Sequence, residues 1–134
     1  MMLVEQRERL QSGIFITFTG NCRAALTFYQ TCFGGTLHFE MLDQAIQGYA
    51  AIPVVSASLI SERIVLHGSD LVHNEGRRVG NYLAIYLPCR DSIERASFID
   101  KLVSQKSAVK VSPDEQAKFI EVTDIFDVRW VLGI

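Results

Sequence analysis

Positive charge is not in excess in this chain: 13 Lys and Arg stand against 15 Asp and Glu, a net charge of −2. Such a balance gives no general pull toward nucleic acid or an anionic membrane. The one basic pair, Arg77-Arg78, reads as a solvated turn. Long hydrophobic runs are missing too. No stretch approaches the ~18–20 apolar residues that a spanning helix needs. The N-terminal residues turn charged at once, without the apolar centre of a secretory signal. The expected location is the cytoplasm, with neither membrane nor nucleic acid as a partner. Cysteine is scarce, at three residues with no C-x-x-C spacing, so neither a disulfide framework nor a zinc site is indicated. Cys22 and Cys32 fall on one predicted helix, about 15 Å apart along its axis and rotated by roughly 80°, so they cannot share a metal. Free thiols in packing positions are the expectation. No glycine-rich loop follows a strand to open a helix, so a nucleotide-like cofactor has no obvious cradle.

What is present suits one domain. The chain has 134 residues, 49% of them hydrophobic, enough for a real core. Residues 14–19 are β-branched and aromatic and predict a strand. Asn21 then has the chemistry of an N-cap. In the helix that follows, Cys22, Ala25, Leu26, Phe28, Tyr29, Cys32 and Phe33 share one arc, while Arg23, Thr27, Gln30 and Thr31 take the other. Gly34-Gly35 supplies the left-handed stop. Strands are predicted over 36–42, 54–61 and 64–69, the last two as a hairpin around Glu62-Arg63. Residues 71–80 are polar and read as a linker.

The order then begins again. Residues 81–87 predict a strand, and Asp91-Ser92-Ile93-Glu94 has capping-box spacing for a second helix. Ala96, Ile99, Leu102 and Val103 form its expected buried stripe. Strands over 109–111, 118–123 and 129–132 follow, with turns at Pro113-Asp114 and Phe126-Asp127. Starts recur at an offset of roughly 67–70 residues. The expected architecture is α+β within one domain, residues 1–134: two βαβββ modules, about 14–70 and 81–134, forming curved half-barrel sheets around a cleft.

This organisation resembles the vicinal-oxygen-chelate superfamily, which includes glyoxalase I, bleomycin-resistance proteins and extradiol dioxygenases, and within it the PhnB-like branch. That branch carries a signature resembling F-x-G-N-C-x-x-A-x-x-F-Y-x-x-x-F-G-G, met here by Phe18, Gly20-Asn21-Cys22, Ala25, Phe28-Tyr29 and Phe33-Gly34-Gly35. Gly68-Ser69-Asp70 and the run from Val122 to Trp130 fit as well, except that Asp127 stands where the family usually has glycine. The resemblance implies a homodimer, since relatives pair modules across subunits. It also implies a divalent metal held from the first and fourth strands of each module. The matching positions are Ile14 or Phe15, Ser69, Asn81 and Val131. Two of these are hydrocarbon and two are weak ligands, so neither a metal site nor any other cofactor is expected.

With Ser69 placed toward the cleft, alternation along strands puts His67 beside it, then Asn81, Leu83 and Ile85 from the second module, and Arg129 and Val131 from the last strand. His67, Ser69, Asn81 and Arg129 are the candidate ligand-binding residues, on an apolar floor of the kind small-molecule sites use. Arginine in such a setting suits a carboxylate or phosphate. Duller roles exist for each: a hydrogen-bonded sheet-edge histidine, a surface salt bridge from Arg129 to Asp124 or Asp127, a turn-shaping Asp70, and Trp130 as core. Spacing supports no Ser-His-Asp or Cys-His arrangement, so no catalytic residue is assigned. The favoured function is metal-free small-molecule binding by a dimer. The alternatives are a metal-dependent lyase or dioxygenase with an atypical site using His67 and Asp70, a transferase, or a scaffold whose cleft is a relic.

Overall fold

The β-branched run that opens the first module forms β1 (Ile14–Thr17), and the amphipathic segment after it forms α1 (Cys22–Phe33). Then come β2 (Thr36–Met41), β3 (Val54–Ile60), β4 (Val65–Ser69), β5 (Ile85–Pro88), α2 (Ser92–Leu102), β6 (Phe119–Thr123) and β7 (Arg129–Gly133). The computed structural model describes residues 12–48, 52–71, 80, 82–106 and 116–134. Two mixed sheets result, one ordered β1-β4-β3-β2 and the other β5-β7-β6. They are not closed into a barrel, and with the helices they make an α+β fold.

The repeat is visible in the pairing. β1 runs parallel to β4 (Ile14↔Leu66), just as β5 runs parallel to β7 (Ile85↔Trp130). β3 is antiparallel to β4, as β6 is to β7. The strand expected over 109–111 and most of the linker lie outside the described residues. The strand expected over 81–87 starts late: β5 begins at Ile85, and the residues from Tyr82 to Ala84 are irregular.

Helix α1 holds the two sheets together. Its arc is buried at Cys22, Ala25, Leu26, Phe28, Tyr29 and Cys32. On the first sheet, a Cβ added to Gly68 would stand 3.0 Å from the Phe18 ring and 3.1 Å from Cys22 Sγ, so glycine here eases the close approach of the helix. On the second, the rings of Tyr29 and Phe33 lie 5.6 and 5.2 Å from that of Trp130. Each large apolar side chain buried this way contributes roughly 1.5–3 kcal/mol. Burial also pushes the Cys22 and Cys32 thiols up to about 12 and about 11, so they pack as small hydrophobes and are poor nucleophiles.

Both ends of α1 depend on the rest of the fold. Asn21 makes no side-chain cap. Asp70, at the end of β4, does that work from outside: its Oδ1 accepts from the backbone N–H of Gly20 (2.7 Å) and of Cys22 (3.1 Å), and its Oδ2 from Val54 (3.0 Å). A carboxylate at a helix N-terminus also suits the helix dipole. At the other end, Gly34 and Gly35 have φ of 74° and 102°, and a Cβ on Gly35 would run into the Ile60 carbonyl. Both glycines are therefore needed.

A second carboxylate joins the modules. Asp124, buried just after β6, accepts from Tyr29 Oη on α1 (2.6 Å) and Trp130 Nε1 on β7 (2.9 Å) through one oxygen. The other oxygen accepts from the N–H groups of Phe126 (2.8 Å) and Val128 (3.2 Å) and shapes the turn between the strands. In that turn Asp127 has φ 65°, so the left-handed conformation is kept although glycine is not. Aspartate tolerates it better than most side chains do.

Helix α2 begins as its capping residues predict, with Asp91 Oδ1 accepting from Glu94 N–H at 2.8 Å. Its buried face differs from expectation. Arg95 and Phe98 turn inward with Ile99 and Leu102, whereas Ala96 is exposed. Arg95 can be buried because its Nη1 donates to the carbonyl of Ala117 at 2.7 Å. Glu94 faces back across the module boundary and accepts two bonds from Arg63, at 2.9 and 3.1 Å. Arg63 also donates to the Pro88 carbonyl (2.7 Å) and sits 5.1 Å from the Phe98 ring centre.

The Arg63 hydrogen bonds, with help from the Arg90 N–H, hold the Glu94 carboxyl down at about 2. A carboxyl lowered by folding stabilises the fold above its unfolded value, near 4.5, and that contribution is lost as pH falls toward 2. The melting temperatures of wild type and Glu94→Gln should therefore differ by a constant amount above pH 5 and converge between about pH 4.5 and 2. A difference independent of pH across that window would remove the ion pair from the explanation.

Candidate functional site

A cleft of about 480 Å³ opens between the free edges of β1 and β5. Its walls are β1 itself, Gly80 with residues 82–85 on the approach to β5, and residues 126–129 of the turn into β7. The location follows from topology. β1 and β5 each end a sheet, so neither outer edge is paired among the described residues, and the gap between them is a trough where the modules meet. Its lining is mostly apolar. Phe15 is 56% exposed, Tyr82 85% and Leu83 71%, with Ile85, Phe126 and Val128 below them.

Arg129 is on this wall, and its guanidinium is already engaged. Nε donates to Glu121 Oε2 at 2.9 Å, and Nη1 to the Leu83 carbonyl at 2.8 Å. The two charges support one another: hydrogen bonding from Arg129 keeps the Glu121 carboxyl below the usual range, and Glu121 keeps the guanidinium above its own. Asp124, offered from sequence as a partner for Arg129, is instead turned into the core toward Tyr29 and Trp130. Trp130 is core, as its packing pattern suggests.

His67 and Ser69 are not on the cleft wall. Register puts them on the helix-free face of the first sheet, with Phe15↔His67 and Thr17↔Ser69 as neighbours. His67 shares a rung with Ser58 and His38. Its imidazole leans the other way, toward β1, since a Cβ built on Gly13 would be 3.0 Å from His67 Cδ2. Ser69 is buried, and its hydroxyl accepts from Leu71 N–H (2.9 Å) and donates to the Val54 carbonyl (3.4 Å). Asn81 lies outside the described residues, between Gly80 and Tyr82 of the cleft. Of the four candidate residues, the structure thus sets one, Arg129, against the cleft and two, His67 and Ser69, one strand in from its edge beside Phe15 and Thr17.

Ile85 lines the cleft, as alternation expects, but it reaches it from a different face. It pairs with Trp130 and is buried beside it, so its side chain does not share a face with Arg129 and Val131. Sequence reasoning also missed Glu121. The register of the antiparallel pair reveals it: Glu121 pairs with Val131, which puts it one step diagonally from Arg129.

At the positions where the resemblance would put a metal, Ile14 or Phe15 and Val131 offer only hydrocarbon, the Ser69 hydroxyl is taken up by backbone, and Asn81 lies outside the described residues. No group of three or more His, Cys, Asp or Glu that could hold an ion occurs among the described residues. Those residues do not fit a chelated divalent metal.

Comparison with solved structures bears on the fold. Protein PA1353 from Pseudomonas aeruginosa superposes with a TM-score of 0.71 over 93% of this chain and 97% of that one, at 26% identity. A putative 3-demethylubiquinone-9 3-methyltransferase, PhnB protein, from Bacillus cereus gives 0.70 over 92% and 98%, at 21% identity. This chain has a PhnB-like α+β fold. A hypothetical protein from Staphylococcus aureus, SA1046, shows the same fold more distantly, at a TM-score of 0.61 and 12% identity. No protein-family model and no curated protein matches the chain. Within the PhnB-like fold, the signature residues fall mainly in its frame. Gly20 and Cys22 meet Asp70, Tyr29 meets Asp124 and Trp130, and Gly34-Gly35 end the helix. No helix among the described residues is long and apolar enough to cross a membrane.

Proposed function

We propose that this protein is a metal-free, dimeric small-molecule-binding protein that captures a largely apolar, ring-bearing ligand in the cleft between β1 and β5. The observation behind this is the cleft itself: about 480 Å³, apolar walls, and a few polar groups at fixed positions. Volume and lining both suit a small organic molecule. Hydrocarbon at Phe15 and Val131 favours binding without a chelated ion. Tyr82 and Leu83, so far out of the surface, are apolar area that a ligand and a second copy would cover between them.

The neutral fluorescent probe N-phenyl-1-naphthylamine tests the reading. It should bind saturably at one site per chain and raise the melting temperature, since a ligand at 100 times its dissociation constant adds roughly 2.7 kcal/mol. Ala84→Trp, which puts an indole into the cleft, should abolish binding while the fold survives. Absence of binding by wild type, or equal binding by the variant, contradicts the reading, and a monomer by light scattering contradicts the dimer.

A further inference from the structure

Arg129 would ordinarily make this cleft an anion site, because a guanidinium set among apolar groups is a strong recogniser of carboxylate or phosphate. In this chain the guanidinium is committed within the protein. Glu121 Oε2 accepts from Nε at 2.9 Å, and the backbone carbonyl of Leu83 accepts from Nη1 at 2.8 Å. Arg129 has further interactions as well. A second carboxylate, Asp127, stands on the same wall. Among the described residues lining the cleft, Arg129 is the one cation, and its ion-pair partner is Glu121 on β6. An incoming anion would meet a guanidinium already paired with Glu121, and would have to displace that carboxylate or sit close to it against like-charge repulsion. A neutral ring system meets no such penalty.

We infer that Glu121 is the residue that sets the charge specificity of the cleft. By occupying Arg129 it restricts the site to uncharged, ring-bearing ligands, and its removal would convert the site to one that accepts anions. Glu121 is well placed for this. It sits on β6 with its side chain 51% exposed, outside the core, so its replacement leaves the cleft walls standing. The Leu83 carbonyl keeps Arg129 pointed at the cleft when Glu121 is gone. The inference rests on the cleft being the binding site.

The experiment uses two probes with one skeleton, the neutral N-phenyl-1-naphthylamine and its sulfonated analogue 8-anilinonaphthalene-1-sulfonate. Wild type should bind the neutral probe at least about tenfold more tightly than the sulfonate. Glu121→Gln, nearly the same shape without the charge, should shrink that ratio by about tenfold or more, through tighter sulfonate binding with neutral binding unchanged. The double variant Glu121→Gln, Arg129→Gln should return sulfonate binding to the wild-type level or below. Equal affinity of wild type for both probes, or an unchanged ratio in Glu121→Gln, overturns the inference and leaves the cleft reading intact, provided Ala84→Trp blocks the neutral probe. Persistence of neutral binding in Ala84→Trp overturns the cleft reading, and this inference falls with it.

Discussion

Asp124→Ala is expected to cost about 3–5 kcal/mol of folding stability, because one buried carboxylate ties the two modules together. That carboxylate accepts four bonds in the interior: from Tyr29 Oη, Trp130 Nε1 and two backbone N–H groups. Each donor left unsatisfied costs about 1–3 kcal/mol, and a methyl group satisfies none of them. Partial relaxation keeps the total below the simple sum. Domains commonly hold only about 5–15 kcal/mol, so the loss is a large share, and the melting temperature should fall by roughly 10–20 °C. Tyr29→Phe removes one bond and should cost only about 1 kcal/mol. Urea denaturation of the three proteins measures both effects. A loss below about 1 kcal/mol for Asp124→Ala would mean that Tyr29 and Trp130 find other partners, and the carboxylate would not be the joint between the modules.

Asp70→Ala should follow at about 2–4 kcal/mol. Three backbone donors, from Gly20, Cys22 and Val54, converge on this one side chain. Two of them belong to the start of α1, where no side-chain cap exists locally, so the variant frays the helix that both sheets pack on. Asp70→Asn keeps one acceptor oxygen and should cost about half as much. The pattern distinguishes this role from catalysis. A general base would lose its activity in the amide while stability barely changed, whereas a cap loses stability in graded steps.

Much of the fold is legible in the sequence because its signals are local. The arc of Cys22, Ala25, Leu26, Phe28, Tyr29 and Cys32 needs only the helical period, and the paired strand–helix starts need only a repeat. Where the sequence misleads, a partner distant along the chain decides the outcome. Asn21 has cap chemistry, but Asp70, 48 residues from Cys22, supplies the bonds. Arg95 looks like a surface residue until the Ala117 carbonyl receives it in the interior. Strand alternation groups Ile85 with Arg129 only if the strand runs on from residue 81. Pairing of Ile85 with Trp130 reverses the face.

The candidate site is less legible for the same reason. The residues that carry the resemblance to PhnB-like sequences are ones whose partners hold helix α1 and the β6–β7 turn in place. They report the frame, and a ligand site is lined by other residues. Arg129 is visible as a charge among apolar neighbours. What it does depends on Glu121, which only the pairing of β6 with β7 brings alongside. Fold and signature therefore set where a cleft occurs, while the side chains along its edges set what it accepts.

The most direct test of where that cleft lies is a titration of isotope-labelled protein with N-phenyl-1-naphthylamine, followed residue by residue through amide resonances. Saturable shifts should centre on Phe15, Thr17, Leu83, Ala84 and Arg129, the two free strand edges and the turn beside them. The amides of His38, Ser58 and His67, one rung on the face of the first sheet, should stay where they are. Shifts centred on that rung, with β1 and β5 silent along the trough, would place binding elsewhere and contradict a ligand site between the two strand edges.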